Sequence, residues 1–375
     1  MKVGILTLYY NNANYGGLLQ SYALNNVLNS MGYESEQISY DFKMESFSGF
    51  SKIKYVVKKS VKQFIPGFMH HNSKFEKTLK AFEHSIPHSR RVTKNNIKRL
   101  NYKYNVFICG SDQIWNPIGW QETFFLNFAT KPKISYAASV ARDFLSKEEI
   151  AFISNLTSDF SSLSVREQNM SNFLSNKLDR KFEQVPDPTL LLSKEEWNEK
   201  FPNKVKTNSD RPYIFAYFLG FNTKQRNDCI DFAKSKGFDI YFIPFMKNDS
   251  YTWDKKHSKY FTKQFKVEDF LDLIRNAELI LTDSFHGAVF SCIFEKPFYV
   301  LNRKLVGNEK SMNSRLSTLF EQLRIEDSRM IDDVFLIDRY NFTEKELRRI
   351  KESKDSCKVK GNDYLRKAIE KVKNE

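Results

Sequence analysis

Apolar runs of strand length alternate with segments of helical spacing along most of the chain. Residues 2–9 form an apolar run that ends at the motif NNANYGG, and apolar side chains then recur at helical spacing between Leu18 and Met31. Gly32 ends this helix, and residues 33–40 return to an extended pattern. A strand, a glycine-containing turn, a helix and a second strand make a βαβ unit, which predicts a parallel sheet.

The alternation resumes after residue 103 and continues through the second half of the chain. It predicts strands at residues 104–109, 134–139, 160–165, 213–218, 239–243, 279–282 and 298–301. It predicts helices at residues 146–156, 223–236, 267–276, 285–295 and 343–373, the first with a capping box of Ser146 and Glu149 and the last broken near Gly361. This order predicts an α/β protein with two doubly wound, Rossmann-like domains that face a cleft.

The predicted elements divide into two domains and a helical tail. The N-terminal domain is expected at residues 1–192, with an insertion at about residues 43–103 that is helical near residues 53–64 and 75–84. The C-terminal domain is expected at residues 193–340, and further helices at residues 341–375. A length of 375 residues fits two domains of roughly 100–200 residues each.

Positive charge is concentrated in the insertion. The chain has 59 Lys and Arg against 45 Asp and Glu, a net charge of +14. Residues 51–104 contain eleven Lys and three Arg against two Glu, which is +12 and leaves +2 for the remainder. Such a stripe is typical of a surface that contacts nucleic acid or an anionic membrane, and equally of a solvated helical face. The apolar stripe within residues 53–64, opposite a lysine-rich face, favours the membrane.

Other classes of protein are excluded by simpler features. No apolar run reaches the roughly 18 to 20 residues of a membrane span, and the first residues lack a cleavage signal, so we expect a cytoplasmic protein, peripheral at the inner face of the cell membrane if the basic segment binds there. The four cysteines are far apart and form no CxxC pair, so we expect neither a disulfide framework nor a metal site.

Two motifs of the first domain follow predicted strands. The first is a glycine turn that consists of Asn14, Tyr15, Gly16 and Gly17. Its backbone N–H groups could approach an anion, although a tight turn without any ligand also needs glycines. The second motif consists of Ser111, Asp112, Gln113, Trp115 and Asn116. Its carboxylate, amides and indole ring are typical of a sugar site. The alternative is a polar turn that is anchored by its tryptophan.

Further candidates lie at later strand ends. Arg166 could bind a carboxylate or phosphate in a bidentate manner, although a lone arginine is usually a surface group. Residues 279–288 read LILTDSFHGA, so a buried strand leads into a helix whose first turn carries His286 and Gly287. That turn offers N–H groups, the Ser284 hydroxyl and a titratable imidazole. Arg303 and Arg315 follow and would add positive charge for an anionic ligand.

Six segments together resemble the polysaccharide pyruvyl transferase family. They occur in this order over about residues 1–335, outside the insertion: NYGGLLQSYAL, FICGSDQIWNP, SYAAS, SVREQNM, VPDPTLL and LTDSFHGAVFSCIFEKPFYVLNR. The resemblance implies a GT-B-like fold and transfer of a pyruvyl group from phosphoenolpyruvate to a sugar of a surface polysaccharide, usually as a cyclic ketal. It places the matches of two family residues, His286 and Arg166, at the donor site. Many members have a basic residue in the tripeptide before this histidine, whereas here the tripeptide is Asp283, Ser284 and Phe285.

These features together give a set of expected roles. The N-terminal domain binds the acceptor and the C-terminal domain the donor. His286 is the expected general acid, with Asp112 first and Asp283 second as the group that activates the acceptor hydroxyl. The expected donor-binding residues are Arg166, Ser284, Gly287, Arg303 and Arg315. The expected acceptor-binding residues are Asn14, Tyr15, Gly16, Gly17, Ser111, Gln113, Trp115 and Asn116.

The expected partners are phosphoenolpyruvate, a saccharide acceptor that is lipid-linked, and an anionic membrane surface bound through residues 51–104. No further cofactor and no nucleic acid are expected. Two alternatives stay open: a GT-B glycosyltransferase that uses a nucleotide sugar, and a nucleic-acid-binding protein whose aromatic residues interleave with lysines in the basic segment.

Overall fold

The structure is a computed structural model that divides into two compact units. It describes residues 1–12, 14–42, 69–117, 121–204, 211–220, 222–244, 251–262, 266–302 and 313–374. Unit 1 comprises residues 1–191 and 359–375, and unit 2 comprises residues 192–358. The helix predicted at residues 53–64 lies outside the described residues.

Unit 1 is built on a parallel sheet with the strand order β2-β1-β3-β4-β5-β6. Its strands are β1 (Lys2–Leu6), β2 (Glu34–Gln37), β3 (Val106–Cys109), β4 (Lys133–Ser135), β5 (Phe160–Val165) and β6 (Phe182–Gln184). Its helices up to residue 191 are α1 (Tyr15–Ser30), α2 (Met69–Ser85), α3 (Lys147–Thr157) and α4 (Gln168–Leu178). The capping box predicted for α3 is confirmed, because Ser146 and Glu149 exchange both hydrogen bonds.

Unit 2 contains a second parallel sheet, with the order β11-β10-β9-β7-β8. Its strands are β7 (Tyr213–Tyr217), β8 (Asp239–Phe242), β9 (Leu279–Thr282), β10 (Phe298–Leu301) and β11 (Met330–Ile331). Its helices are α5 (Lys194–Lys200), α6 (Thr223–Ser235), α7 (Tyr251–Lys256), α8 (Val267–Asn276), α9 (Phe285–Ile293) and α10 (Asn313–Leu323), with the first part of α11 (Glu344–Asn374). The predicted α/β class with two doubly wound domains is confirmed.

Both sheets have the strand arrangement of a doubly wound fold. The central strands β3, β7, β9 and β10 are buried along their whole length, as expected for parallel strands covered on both faces. The direction in which successive strands are added across the sheet reverses between β1 and β3 in unit 1 and between β7 and β9 in unit 2. Ligands of such folds bind beyond the carboxyl ends of the strands on either side of this switch point.

The last helix differs from the prediction. α11 is continuous from Glu344 to Asn374 and does not break at Gly361, and its residues divide between unit 2 and unit 1. A Cβ atom at Gly361 would lie 2.4 Å from a methyl carbon of Leu191 and 2.6 Å from the Tyr136 hydroxyl. The glycine therefore permits close packing inside unit 1 and does not interrupt the helix.

The described part of the predicted insertion is integrated into unit 1. The second predicted helix is present as α2, whose Phe75 and Phe82 pack on Tyr15 and Tyr22 of α1. Beyond α2, the backbone of residues 86–92 hydrogen-bonds to residues 37–41 next to β2. Residues 69–103 therefore contribute a buried helix face and backbone pairing to the first domain.

Candidate functional site

Polar side chains tie together the loops on either side of the unit 1 switch point. Thr7 follows β1, and its hydroxyl donates to the Ser111 carbonyl oxygen at 2.6 Å. The Gln20 side chain of α1 donates to the Thr7 hydroxyl at 3.1 Å and accepts from the Ser111 N–H at 3.2 Å. The Ser111 hydroxyl donates to the Ala137 carbonyl oxygen at 2.9 Å. Ser111 is fully buried. It therefore positions these loops, and the prediction that it contacts the acceptor is not supported.

The glycine turn before α1 is explained by packing. Asn14 caps α1 by accepting from the Gly17 N–H at 3.1 Å. A Cβ atom at Gly17 would lie 2.6 Å from the Asn12 amide nitrogen, which explains why this position is glycine. Gly16 is buried, and Tyr15 is buried edge-on against Phe75. The turn interpretation therefore accounts for Tyr15, Gly16 and Gly17, and their predicted contact with an acceptor is not supported.

The loop after β3 contains half-buried polar side chains. Asp112, Gln113 and Asn116 are half-buried, and the Asn116 amide donates to Gln113 at 3.0 Å. Asp112 has a φ of 66°, in the left-handed region that Asp tolerates better than most residues. Its carbonyl oxygen accepts from the Ser139 N–H at 2.9 Å, which fixes the loop to the segment that follows β4. These three residues remain the best acceptor candidates of unit 1.

The predicted sugar-stacking role of Trp115 is wrong. Trp115 is fully buried, and its ring lies parallel to Phe125 with the centroids 5.0 Å apart. Phe160 meets it edge-on at 6.2 Å. The indole therefore packs against Phe125 and Phe160 in the core of unit 1, and it offers no face to a ligand.

Arg166 is also used inside unit 1. It is 1% exposed, and its guanidinium donates to Asp187 at 2.8 Å and lies 3.9 Å from Glu167. Asp187 in turn accepts from the N–H and the hydroxyl of Thr189. Because two buried carboxylates balance its charge, Arg166 stabilises the ends of β5 and β6, and its predicted role in binding the donor is not supported.

The unit 2 switch point carries the start of α9. Ser284 caps this helix by accepting from the Gly287 N–H at 3.3 Å. A Cβ atom at Gly287 would lie 2.4 Å from the Thr282 hydroxyl oxygen, so only glycine fits at this turn. His286 is 7% exposed and its ring stands edge-on to Phe285 at 5.2 Å. The first turn of α9 thus places an imidazole beside a helix N-terminus, as predicted.

Asp283 holds the neighbouring loop. Its two carboxylate oxygens accept from the backbone N–H groups of Leu219, at 2.6 Å, and Gly220, at 2.7 Å. These residues follow β7 and lead into α6. Asp283 is 6% exposed, and each of its oxygens accepts one backbone N–H, so the side chain positions the loop between β7 and α6.

Arg226, in the first turn of α6, is a buried cation that was not among the candidates predicted from the sequence. Its guanidinium lies 5.2 Å from the ring centroid of Trp253 and donates to the Phe218 carbonyl oxygen at 3.4 Å. It is 1% exposed, and burial lowers its pKa, whereas Asp254 and Asp283 oppose this shift. The surrounding sequence, TKQRNDC, is polar and gives no sign that the arginine is buried.

The remaining donor candidates differ in what the structure describes. Arg315, in the first turn of α10, is 8% exposed. Arg303 lies outside the described residues. Among the described residues, no group of three or more His, Cys, Asp or Glu side chains is placed to bind a metal ion. Within the same residues, no helix is both long enough and apolar enough to cross a membrane.

Comparisons with known proteins agree on the family and the fold. A family model described as polysaccharide pyruvyl transferase matches residues 14–304. The fold is similar to that of a putative UDP-N-acetylglucosamine 2-epimerase from Listeria monocytogenes, with a TM-score of 0.54 and 10% identity over 97% of this chain and 90% of that one. S. aureus MnaA, solved with UDP, gives a TM-score of 0.52 and 11% identity over 96% of this chain and 90% of that one. A search of curated proteins gives no match. At these identities the two structures indicate the GT-B-like fold alone.

Proposed function

The chain belongs to the polysaccharide pyruvyl transferase family, and from this we propose that it transfers a pyruvyl group from phosphoenolpyruvate to a sugar of a surface polysaccharide or its lipid-linked precursor. The observation that carries the proposal is the family match over residues 14–304, together with His286 in the first turn of α9. The family match supports a transferase, and the donor, the acceptor and the residue roles are our proposals.

The donor would bind at the unit 2 switch point. Phosphoenolpyruvate is a small anion with a phosphate and a carboxylate, so its site needs N–H donors and positive charge more than volume. The N-termini of α6 and α9 lie beyond the ends of β7 and β9, and each presents backbone N–H groups and the positive end of its helix dipole. Arg226 adds a buried cation at the same edge, and Arg303 and Arg315 are further candidates.

His286 would act as the general acid. In the proposed reaction an imidazolium proton is added to the methylene carbon of phosphoenolpyruvate, which makes the adjacent carbon electrophilic. A sugar hydroxyl attacks this carbon and loses its proton. A second hydroxyl then attacks the same carbon and gives its proton to the departing phosphate, which leaves with its C–O electron pair, and a cyclic ketal results. Histidine is the side chain that most often acts as a general acid, which suits the protonation step.

The acceptor would be bound by unit 1. Asp112 is the carboxylate best suited to accept the hydroxyl proton, because it is half-buried in a loop fixed by the Ser139 N–H. Gln113 and Asn116 in the same loop offer amide groups for the sugar hydroxyls. Binding of a lipid-linked acceptor would bring the protein to the membrane surface, where the basic segment at residues 51–104 would add attraction to anionic lipids.

A transfer assay tests this proposal. The protein is incubated with phosphoenolpyruvate and a panel of lipid-linked and model glycosides, and phosphate release is measured together with the mass of the glycoside. We expect phosphate release that depends on the acceptor and a mass gain of one pyruvyl unit. Turnover of UDP or GDP sugars without reaction of phosphoenolpyruvate would instead establish the nucleotide-sugar alternative.

A further inference from the structure

Unit 1 contains a cavity beside the amino-terminal parts of the neighbouring strands β5 and β6. It has a volume of about 390 Å³. It is lined by the start of β5, by the turn before β6 and by the last turns of α11: Phe160, Ser161, Ser162, Leu163, Arg180, Lys181, Glu183, Tyr364, Lys367, Ala368 and Lys371. The carboxyl edge of the sheet, where Arg166 lies, is at the other end of β5. The proposed reaction therefore does not use this cavity.

Positive charge dominates the walls of the cavity. Four cationic side chains face one carboxylate, Glu183, which pairs with Lys181 at 3.1 Å. Arg180 is held by neutral groups, because it donates to the carbonyl oxygens of Thr157, at 2.6 Å, and Phe160, at 3.3 Å. Lys371 donates to the Ser161 carbonyl oxygen at 2.7 Å. Carbonyl groups orient these cations without cancelling their charge, unlike the carboxylates around Arg166.

The remaining cations have no acidic partner nearby. Within the described part of the chain, no carboxylate lies within 4 Å of the charged groups of Arg180, Lys367 or Lys371. The cavity thus carries a net positive charge.

The cationic side of α11 is fixed in place. The buried Tyr364 hydroxyl donates to the Ser135 carbonyl oxygen of β4 at 2.8 Å. Gly361 allows the helix to approach Tyr136 and Leu191 closely. Ala368 is buried one turn further along. The cations from α11 and those from the turn before β6 are therefore presented by rigid elements, which lowers the entropy lost on binding a ligand.

We propose that this cavity binds a phosphate-bearing ligand. Its volume lies within the roughly 300 to 1,000 Å³ of small-molecule sites. A multiply charged phosphate or pyrophosphate group matches several cations better than a single carboxylate does, and the fork of Arg180 suits phosphate oxygens. The half-buried hydroxyls of Ser161 and Ser162 lie on the β5 side of the cavity. The phosphate belongs either to a soluble molecule or to a lipid headgroup.

Charge reversal on α11 tests the proposal. The double variant K367E/K371E changes two exposed side chains, so the fold should persist. The matched control K345E/R348E makes the same charge change at exposed positions of the same helix in unit 2. Each full-length protein is titrated with pyrophosphate by calorimetry and, at the same salt concentration, sedimented with phosphatidylglycerol vesicles or phosphatidylcholine vesicles.

We expect K367E/K371E to bind at least one of the two phosphate probes about tenfold more weakly than the wild type, while K345E/R348E binds normally. A loss limited to pyrophosphate would identify a soluble ligand, and a loss limited to phosphatidylglycerol vesicles a lipid headgroup. Equal binding by all three proteins, equal losses in both variants, or no binding of either probe by the wild type would overturn the proposal. The pyruvyl transfer assay is unaffected by these outcomes, so the two proposals can fail separately.

Discussion

The two sheets have the same strand order around their switch points, but the polar side chains at their carboxyl edges make different contacts. In unit 1 the buried cation Arg166 is balanced by Asp187 and Glu167, and Ser111 is used in hydrogen bonds between loops. In unit 2 the buried carboxylate of Asp283 accepts two backbone N–H groups, and His286 stands in the first turn of α9. The first edge is stabilised by paired charges, whereas the second fixes a loop between two helix N-termini.

Because of this difference, substitutions at the two carboxyl edges should have different effects. The buried charges of Arg166, Asp187 and Glu167 at the unit 1 edge should mainly affect stability, because removing one member of a buried pair leaves an uncompensated charge. Residues at the unit 2 edge should mainly affect binding and turnover of the donor. Substitutions at the two edges therefore test whether the edges differ in this way.

The largest effect is expected for His286→Ala. Loss of a general acid lowers turnover by typically 10² to 10⁴-fold, and we expect a loss in this range with little change in thermal stability. Pyruvyl transfer is measured as phosphate release at saturating phosphoenolpyruvate. His84→Ala, on the exposed face of α2, is the control and should retain activity. Near-normal turnover of His286→Ala would remove the central assignment.

Arg166→Met should be the most destabilising of these variants. It leaves Asp187 and Glu167 as buried carboxylates without their cation, which should lower the free energy of unfolding by about 3–5 kcal/mol. Urea denaturation measures this change. Glu34→Gln, which breaks an exposed ion pair with Lys2 in the same unit, should cost only about 0–1 kcal/mol. A large loss of phosphoenolpyruvate affinity in Arg166→Met at unchanged stability would restore its predicted donor role.

Asp283→Asn should have a smaller, mixed effect. An asparagine retains one oxygen acceptor and turns an amide N–H₂ group toward the N–H of Leu219 or Gly220, at a cost of about 1–3 kcal/mol. Because the loop between β7 and α6 is displaced, we expect a higher KM for phosphoenolpyruvate with a smaller change in kcat. Asp231→Asn, at an exposed position of α6, is the matched control. A fall in kcat alone would favour a catalytic role for Asp283.

The smallest effect is a pH dependence that arises at Glu83. Burial raises the pKa of this side chain, and the backbone N–H groups of Asn11 and Asn12, in the loop after β1, oppose the shift. Between the ordinary value of 4.5 and the raised pKa, the folded protein binds more protons than the unfolded chain, so stability should fall as pH rises. Urea denaturation across this range should show a flatter profile for Glu83→Gln, whereas Glu76→Gln, exposed on the same helix, should behave like the wild type. Identical profiles for all three proteins would contradict the assignment.

Local patterns in the sequence were sufficient to predict most strands of the two sheets. The strands β5, β9 and β10 and the helix α8 have the predicted bounds, because each is a clear apolar run or amphipathic segment. The short strands β6 and β11, of three and two residues, were missed because so few residues show no period.

The site was harder to predict, because its side chains are oriented by distant partners. Trp115 is surrounded by polar residues in the sequence, yet Phe125 and Phe160 draw it into the core. Arg166 is paired with Asp187, 21 positions away. Arg226 is buried by aromatic residues of β8 and α7. Such contacts form only in the folded chain. The residue types at a strand end therefore predict where a site lies, but they do not predict which side chains face that site.

Calorimetric titration with phosphoenolpyruvate, in parallel with UDP-N-acetylglucosamine, tests the proposed donor site. We expect the wild type to bind phosphoenolpyruvate at one site in unit 2, Asp283→Asn to bind it more weakly, and Asp231→Asn to bind it normally. Binding of UDP-N-acetylglucosamine without any binding of phosphoenolpyruvate, or phosphoenolpyruvate affinity unchanged by Asp283→Asn, would contradict this proposal.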